Sequence, residues 1–335
     1  MPTSPERLKE AERKVLERVK VSIEHEFVRA GNYMMHVIVA GRGNRKTIVL
    51  LHGHSMSAAF FYRNLEQLVS IGYCAYAIDL LGWGRSDRPE FKGRTAEESI
   101  AYYVDSLQLC LQSVDLRQFA LLGHSLGAYV AVQYTLKNPT SVTRLILISP
   151  AGIERKVSPI RALYFAFTPQ LLVRRGGLLG YLGFIARYPR QPGFVAPGLR
   201  KLAYQLNAQP KPSGDAAVVP LVSLRGFSNA QCLFPLVECI ERLRVPVHLV
   251  CGDLDPVVKV SEVKHLYELL KVIISDCHFT VIRGSDHCAF LEYPDEFFNA
   301  VFHEERQSSS TQYSTCCPND FTVSDVSVEE GSERE

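Results

Sequence analysis

The 335-residue sequence predicts a doubly wound, mostly parallel α/β sheet with a helical cap inserted after its sixth strand. Three observations predict it. Apolar runs bounded by turn residues recur along the chain, helical segments fall between them, and the rhythm breaks once, between about 153 and 240. The runs are KTIVLLHG (46–53), YCAYAIDLLG (73–82), RQFALLGHS (117–125), VTRLILISP (142–150), VPVHLVCGD (245–253) and HFTVIRGSD (278–286). Near-continuous Val/Ile/Leu stretches of this length suit strands covered on both faces, as in a parallel sheet.

Taken in order, residues 5–19 read as a charged surface helix with sparse apolar positions. EHEFVRAGNYMMHVIVAG (24–41) alternates like an antiparallel hairpin turning at Gly31-Asn32. Helices are expected over 96–113, 127–137 and 261–271, between the predicted parallel strands. The stretch 153–240, rich in Pro, Gly and aromatics, would cover the C-terminal ends of the strands, where open α/β sheets bind ligands. The domain organisation that follows is an N-terminal helical extension over 1–22, a core over 23–152 and 241–304, a cap over 153–240, and a disordered, acidic and Ser-rich tail over 305–335.

Composition excludes several classes. A formal net charge of +2 gives no reason to expect a nucleic-acid partner, and 47% hydrophobic residues suit a soluble chain with a sizeable core. Nine cysteines are scattered without a disulfide framework, C-x-x-C or zinc spacing, so no metal is expected. The N-terminus lacks the apolar stretch of a secretory signal, and no run reaches the roughly 18 apolar residues of a spanning helix. The expected location is cytoplasmic, with at most peripheral association with lipid droplets or intracellular membranes.

Gly123-His124-Ser125-Leu126-Gly127 is a G-x-S-x-G motif between a strand and a helix, the context in which a sharp turn presents a serine nucleophile. A serine hydroxyl is a poor nucleophile at neutral pH and needs a base. His287, just past the last predicted strand, is the candidate. The acid that orients it should follow the preceding strand, where Asp253 and Asp255 both stand; Asp255 is favoured, with Asp253 as a turn former. Backbone N–H groups of Leu126 and His54 are the candidate oxyanion donors. The side chains of His52 and His54 have no carboxylate or cysteine nearby in sequence, so they are not expected to hold a metal.

The motifs LLHGHS, DLLGWGRSDRP, GHSLG, ISPAG, GDLD and GSDH together resemble the α/β-hydrolase superfamily along roughly residues 25–302. More narrowly, AERKVL (11–16), DLLGWGRSDRPEF (79–91) and IRAL (160–163) resemble the subfamily that contains the lipid-droplet lipase coactivator and an N-acyl-phospholipid lipase. The resemblance implies a carboxylic ester hydrolase acting on acyl lipids, with no cofactor. It also implies two alternatives: acyl transfer to lysophosphatidic acid, or a lipid-droplet or lipase-binding scaffold with vestigial activity. The coactivator carries Asn at the nucleophile position, whereas this chain keeps Ser125. The H-x4-D motif linked in the subfamily to acyl transfer is His287 to Glu292 here, a carboxylate longer by one methylene.

Residues 153–225 hold eleven Lys/Arg against two acids, Glu154 and Asp215. Basic and apolar residues together fit a surface resting on anionic lipid, with Arg174 and Arg175 as candidate contacts. An ordinary lid with an apolar underside would have the same composition. Cys316-Cys317 is a candidate for S-palmitoylation or a pair of plain thiols. Oligomeric state, head group and acyl length are not legible in the sequence.

Overall fold

A computed structural model describes residues 3–153, 169–188, 194, 196, 198–221 and 245–314. Eight strands, β1 (Ile23–Ala30), β2 (Tyr33–Ala40), β3 (Lys46–Leu51), β4 (Tyr73–Ile78), β5 (Phe119–His124), β6 (Val142–Ile148), β7 (Val247–Gly252) and β8 (Cys277–Ile282), form one sheet. Its order is β1-β2-β4-β3-β5-β6-β7-β8. β1 and β2 form the antiparallel hairpin, β2 pairs antiparallel with β4, and every pairing from β4 through β8 is parallel. β5, which ends at the nucleophile turn, lies between β3 and β6, so the ends of three strands converge there.

The parallel strands are apolar on both sides because both sides are covered. Alternate residues point to opposite faces. Val49, Leu51, Leu121, Leu145 and Leu147 share one core with Tyr103, Leu107 and Leu111. Ile48, Leu50, Leu122, Ile146 and Ile148 share the other with Phe60, Phe61, Phe290 and Phe297.

The helices are α1 (Pro5–Leu16), a 3-10 helix over Ala58–Arg63, α2 (Leu65–Ser70), α3 (Ala96–Ser113) and α4 (Leu126–Lys137) in the first half. α5 (Pro169–Arg175), α6 (Gly177–Arg187), α7 (Leu199–Asn207) and α8 (Ser213–Val218) lie between β6 and β7. α9 (Val260–Leu270), α10 (Ala289–Glu292) and α11 (Pro294–Ser314) complete the chain. α3 starts on a reciprocal cap: the Thr95 hydroxyl accepts from the Glu98 N–H at 3.2 Å, and the Glu98 carboxylate accepts from the Thr95 N–H at 3.0 Å.

Two elements differ from expectation. α1 is not a surface helix: Leu8, Ala11, Val15 and Leu16 are buried in the second core, at an i, i+3, i+7, i+8 spacing that defines one apolar stripe. It is nearly as charged as a surface helix because its other face is solvated. α11 runs to Ser314, into the stretch expected as tail. Residues 315–335, with Cys316-Cys317, and the cap segments 154–168 and 222–244 lie outside the described residues.

Candidate active site

Ser125 stands between the last residue of β5 and the first of α4, with φ 51° and ψ −113°. Positive φ is strained for a residue with a Cβ, at a cost of about 1–3 kcal/mol. The surroundings enforce it. The Ser125 N–H donates to the Ile148 carbonyl at 2.9 Å, and its carbonyl accepts from the Ala128 and Tyr129 N–H groups. The two flanking glycines are required by close approach: a Cβ on Gly123 would lie 2.4 Å from the Gly127 carbonyl oxygen, and one on Gly127 would lie 2.2 Å from that of Leu51. The motif thus brings the start of α4 directly onto the end of β3.

The carboxylate follows β7 and the imidazole follows β8. Asp255 Oδ2 accepts from the His287 Nδ1 at 2.9 Å, and Asp255 Oδ1 accepts from the N–H groups of Val257 at 2.7 Å and Val258 at 2.9 Å. Burial works against the Asp255 charge, but the His287 bond and these backbone donors hold its pKa below the ordinary carboxylate value. Asp253 instead accepts from the Gly284 N–H at 2.6 Å, tying the β7 turn to the β8 turn. Of the two aspartates, Asp255 is the one that meets His287.

The loop carrying His287 is held from two further sides that the sequence did not reveal. Glu292, buried on α10, accepts from the Asp286 N–H at 2.7 Å and the Ser285 hydroxyl at 3.1 Å. Burial pushes its pKa up despite those bonds. His124, the residue before Ser125, donates from Nε2 to the His287 carbonyl at 3.0 Å. Burial, then repulsion from the His287 imidazole, lowers the His124 pKa to about 3, so it is neutral at pH 7. Each contact spans about 160 residues or bends back within one turn, and no local pattern announces the first kind.

Opposite this loop, Gly53 brings the segment after β3 against Ser125: a Cβ built there would lie 3.2 Å from the serine Cβ. His52 fixes the segment's base. It receives the Leu80 N–H on Nε2 at 3.1 Å and donates from Nδ1 to the Gly53 carbonyl at 2.8 Å. Both ring nitrogens are used, and burial lowers its pKa. Leu126 opens α4, where the first N–H groups have no partner inside the helix. His54 is packed edge-on to Trp83 with ring centroids 5.0 Å apart, and its Nε2 lies 3.1 Å from Asp215 Oδ1.

The structure corrects one assignment. Arg174 is turned inward, not toward lipid: its side chain is 8% exposed, is paired with Asp215 Oδ2, and donates from Nε to the Gln209 carbonyl at 2.9 Å. An Arg at the end of a short cap helix can face either way, and Asp215, forty-one residues later, decides it. Arg175 is exposed.

Among the described residues, one group has ligand atoms close enough for a metal: Glu12, His25 and His36, within 4.8 Å of one another. Arg85 already serves the carboxylate, with Nη1 2.7 Å from Glu12 Oε1 and 3.4 Å from both imidazoles. A fixed cation there repels a second one. The residues do not fit a metal.

The pattern described as the alpha/beta hydrolase family matches residues 48–300. The rat 1-acylglycerol-3-phosphate O-acyltransferase ABHD5 is 30% identical, covering 89% of this chain and 89% of that protein. The human (lyso)-N-acylphosphatidylethanolamine lipase is 27% identical over 90% of this chain and 92% of its own length. Among solved structures, the carboxylesterase CesB from Bacillus subtilis superimposes with a TM-score of 0.69 at 20% identity, covering 89% of this chain and 96% of that one. The sheet order, the strand–turn–helix serine motif and a family match spanning most of the core agree, and the chain belongs to the alpha/beta hydrolase family.

Proposed function

We propose that the protein is a serine carboxylic ester hydrolase of acyl lipids, acting on a lysophospholipid or N-acyl phospholipid through an acyl-enzyme. The observation that carries this reading is the strained Ser125 turn, tied through His124 to the loop of a His287–Asp255 pair supplied by the ends of β8 and β7. In this mechanism the Ser125 Oγ attacks the ester carbonyl carbon as its proton passes to His287 Nε2. Asp255 keeps the other nitrogen protonated and stabilises the imidazolium without taking its proton. The carbonyl oxygen becomes an oxyanion held by the N–H groups of Leu126 and His54, each donor contributing about 3–4 kcal/mol. The C–O bond to the alcohol then breaks, and the alcohol leaves with the proton from His287. Water, deprotonated by the same imidazole, attacks the acyl-enzyme to release fatty acid and restore Ser125.

The lipid class is supported by the lipid substrates in the names of the two relatives. The printed activity of the first also supports a second reading, in which lysophosphatidic acid replaces water as acceptor. Glu292 is the residue the resemblance linked to transfer. Its bonds to Ser285 and Asp286 favour a role in holding the histidine loop, which hydrolysis needs equally.

The test is purified protein against a panel of lysophosphatidic acid, lysophosphatidylethanolamine, N-acyl phospholipid and monoacylglycerol, with Ser125→Ala as control. A fluorophosphonate should label Ser125, and free fatty acid should be the main product even when acyl-CoA and lysophosphatidic acid are both supplied. Full hydrolysis by Ser125→Ala would overturn the mechanism. Dominant phosphatidic acid synthesis would favour transfer, and labelling with no ester cleaved would favour the scaffold.

A further inference from the structure

The segment His54-Ser55 is gripped by three cap helices at once. From α8, Asp215 Oδ1 meets His54 Nε2 at 3.1 Å, while Asp215 Oδ2 is paired with Arg174 of α5. Also from α5, Gln170 Nε2 donates to the Ser55 hydroxyl, which lies 3.0 Å from His54 Nδ1. From α7, Asn207 Nδ2 donates to the Ser55 carbonyl at 3.2 Å. Gln170, Asn207 and Asp215 are all buried, so each bond lies where loss of a partner is costly. Ser55 itself has φ 64°, a conformation that a β-carbon disfavours and that must be held from outside.

We infer that Asp215, Arg174, Gln170 and Asn207 are positioning residues that set the oxyanion-binding N–H of His54, so that the seated cap is the catalytically competent state. The inference rests on the proposed ester hydrolysis at Ser125. The physical reason is geometric. An oxyanion donor is effective only when aimed at the position the charged oxygen takes in the transition state, and misplacement by about 1 Å can cost on the order of 10²-fold. The segment after β3 is fixed at its base by His52 and Gly53, and at its tip the His54 ring packs on Trp83. Its polar side chains and the Ser55 carbonyl are turned to the cap. Chemistry then takes place with α5, α7 and α8 in place.

The test uses full-length protein with active sites counted by fluorophosphonate titration of Ser125, so that unfolded molecules drop out. Asp215→Asn and Gln170→Leu are compared on one short soluble ester. The expected result is a fall in kcat per titrated site of roughly 10- to 100-fold with KM changed by less than about twofold. Affinity for an alkyl boronic acid, whose tetrahedral adduct places an oxygen in the oxyanion position, should fall in parallel. A residue that merely stabilises the cap would lower the melting temperature and the titrated fraction while leaving kcat per site and boronate affinity unchanged. That outcome for both variants overturns the inference, as does a loss confined to KM. Should Asp215→Asn not fold, Gln170→Leu and Asn207→Leu decide the matter alone. Absence of any Ser125 labelling in the unaltered protein would instead defeat the hydrolase reading itself.

Discussion

Asp253 and Asp255 stand two residues apart in one turn, and direction alone separates their roles. Asp255 points across to His287 and receives two backbone N–H groups, whereas Asp253 bridges to the Gly284 N–H. If Asp255 orients the imidazole, Asp255→Asn should lower turnover by roughly 10⁴, because an amide can no longer enforce the tautomer with Nδ1 protonated. Asp253→Asn keeps an oxygen acceptor for Gly284 and should cost less than tenfold, seen in kcat/KM on a soluble ester. The reverse ranking would sink the assignment. The placement of Ser125, His287 and Asp255 at strand ends was legible because each sits in a short motif whose strand context is visible in the sequence. Arg174 was misread, and Glu292 was read through a family motif, because their partners, Asp215 and the Ser285-Asp286 backbone, are matters of packing.

At the scale of the element, α6 is the unusual helix. Leu178, Leu179 and Leu182 are 68%, 80% and 51% exposed, and Arg175 is exposed just ahead of them. Burying one such side chain is worth about 1.5–3 kcal/mol. If the protein rests on a lipid surface, as the composition of 153–225 led one to expect, this helix is where the contact belongs. Leu178→Ser, Leu179→Ser and Leu182→Ser combined should weaken vesicle flotation and hydrolysis of vesicle-borne lipid while sparing a short soluble ester. Arg175→Gln should matter only with anionic vesicles, and its effect should fade as salt shortens the Debye length from about 10 Å at 0.1 M to about 3 Å at 1 M. Arg174→Gln, by contrast, should impair soluble substrate too. Equal vesicle binding by the triple-serine variant and the unaltered protein would remove α6 from the membrane. The apolar run of α6 was plain in the sequence; which side of it faces outward was not, since periodicity cannot separate a helix turned toward the core from one turned toward lipid.

On the scale of the whole molecule, the mostly parallel sheet followed from the rhythm of apolar runs, and α3, α4 and α9 fell within a residue of expectation. Those elements are specified locally, by periodicity and caps. The cap is specified by polar contacts between residues up to 206 positions apart, which no window of sequence contains. A collective property follows from the buried imidazoles. Burial lowers the pKa of His124 to about 3 and of His248 to about 4, and it lowers that of His52 as well. The unfolded chain takes up protons near pH 6.5, where these groups in the folded chain still refuse them. Stability is therefore full above about pH 6.5 and falls as the pH drops toward 4. Thermal unfolding should show the melting temperature declining already between pH 6.5 and 5, before most carboxylates titrate. A flat profile across that range would mean that these rings are protonated in the folded state.

The turn at Ser125 has a consequence for descent. Its backbone sits where glycine is at ease and any residue with a Cβ is strained, so the position carries a standing cost of about 1–3 kcal/mol that the proposed chemistry would justify. Stability in natural proteins is held just above a threshold, and a residue that costs it is retained only under continuous selection. Once a duplicated copy serves by binding alone, replacement of this serine by glycine relieves the strain while leaving the sheet, the helices and the cap intact. Non-catalytic relatives with the full fold are thus an expected product of such a lineage. In this chain the serine remains in place.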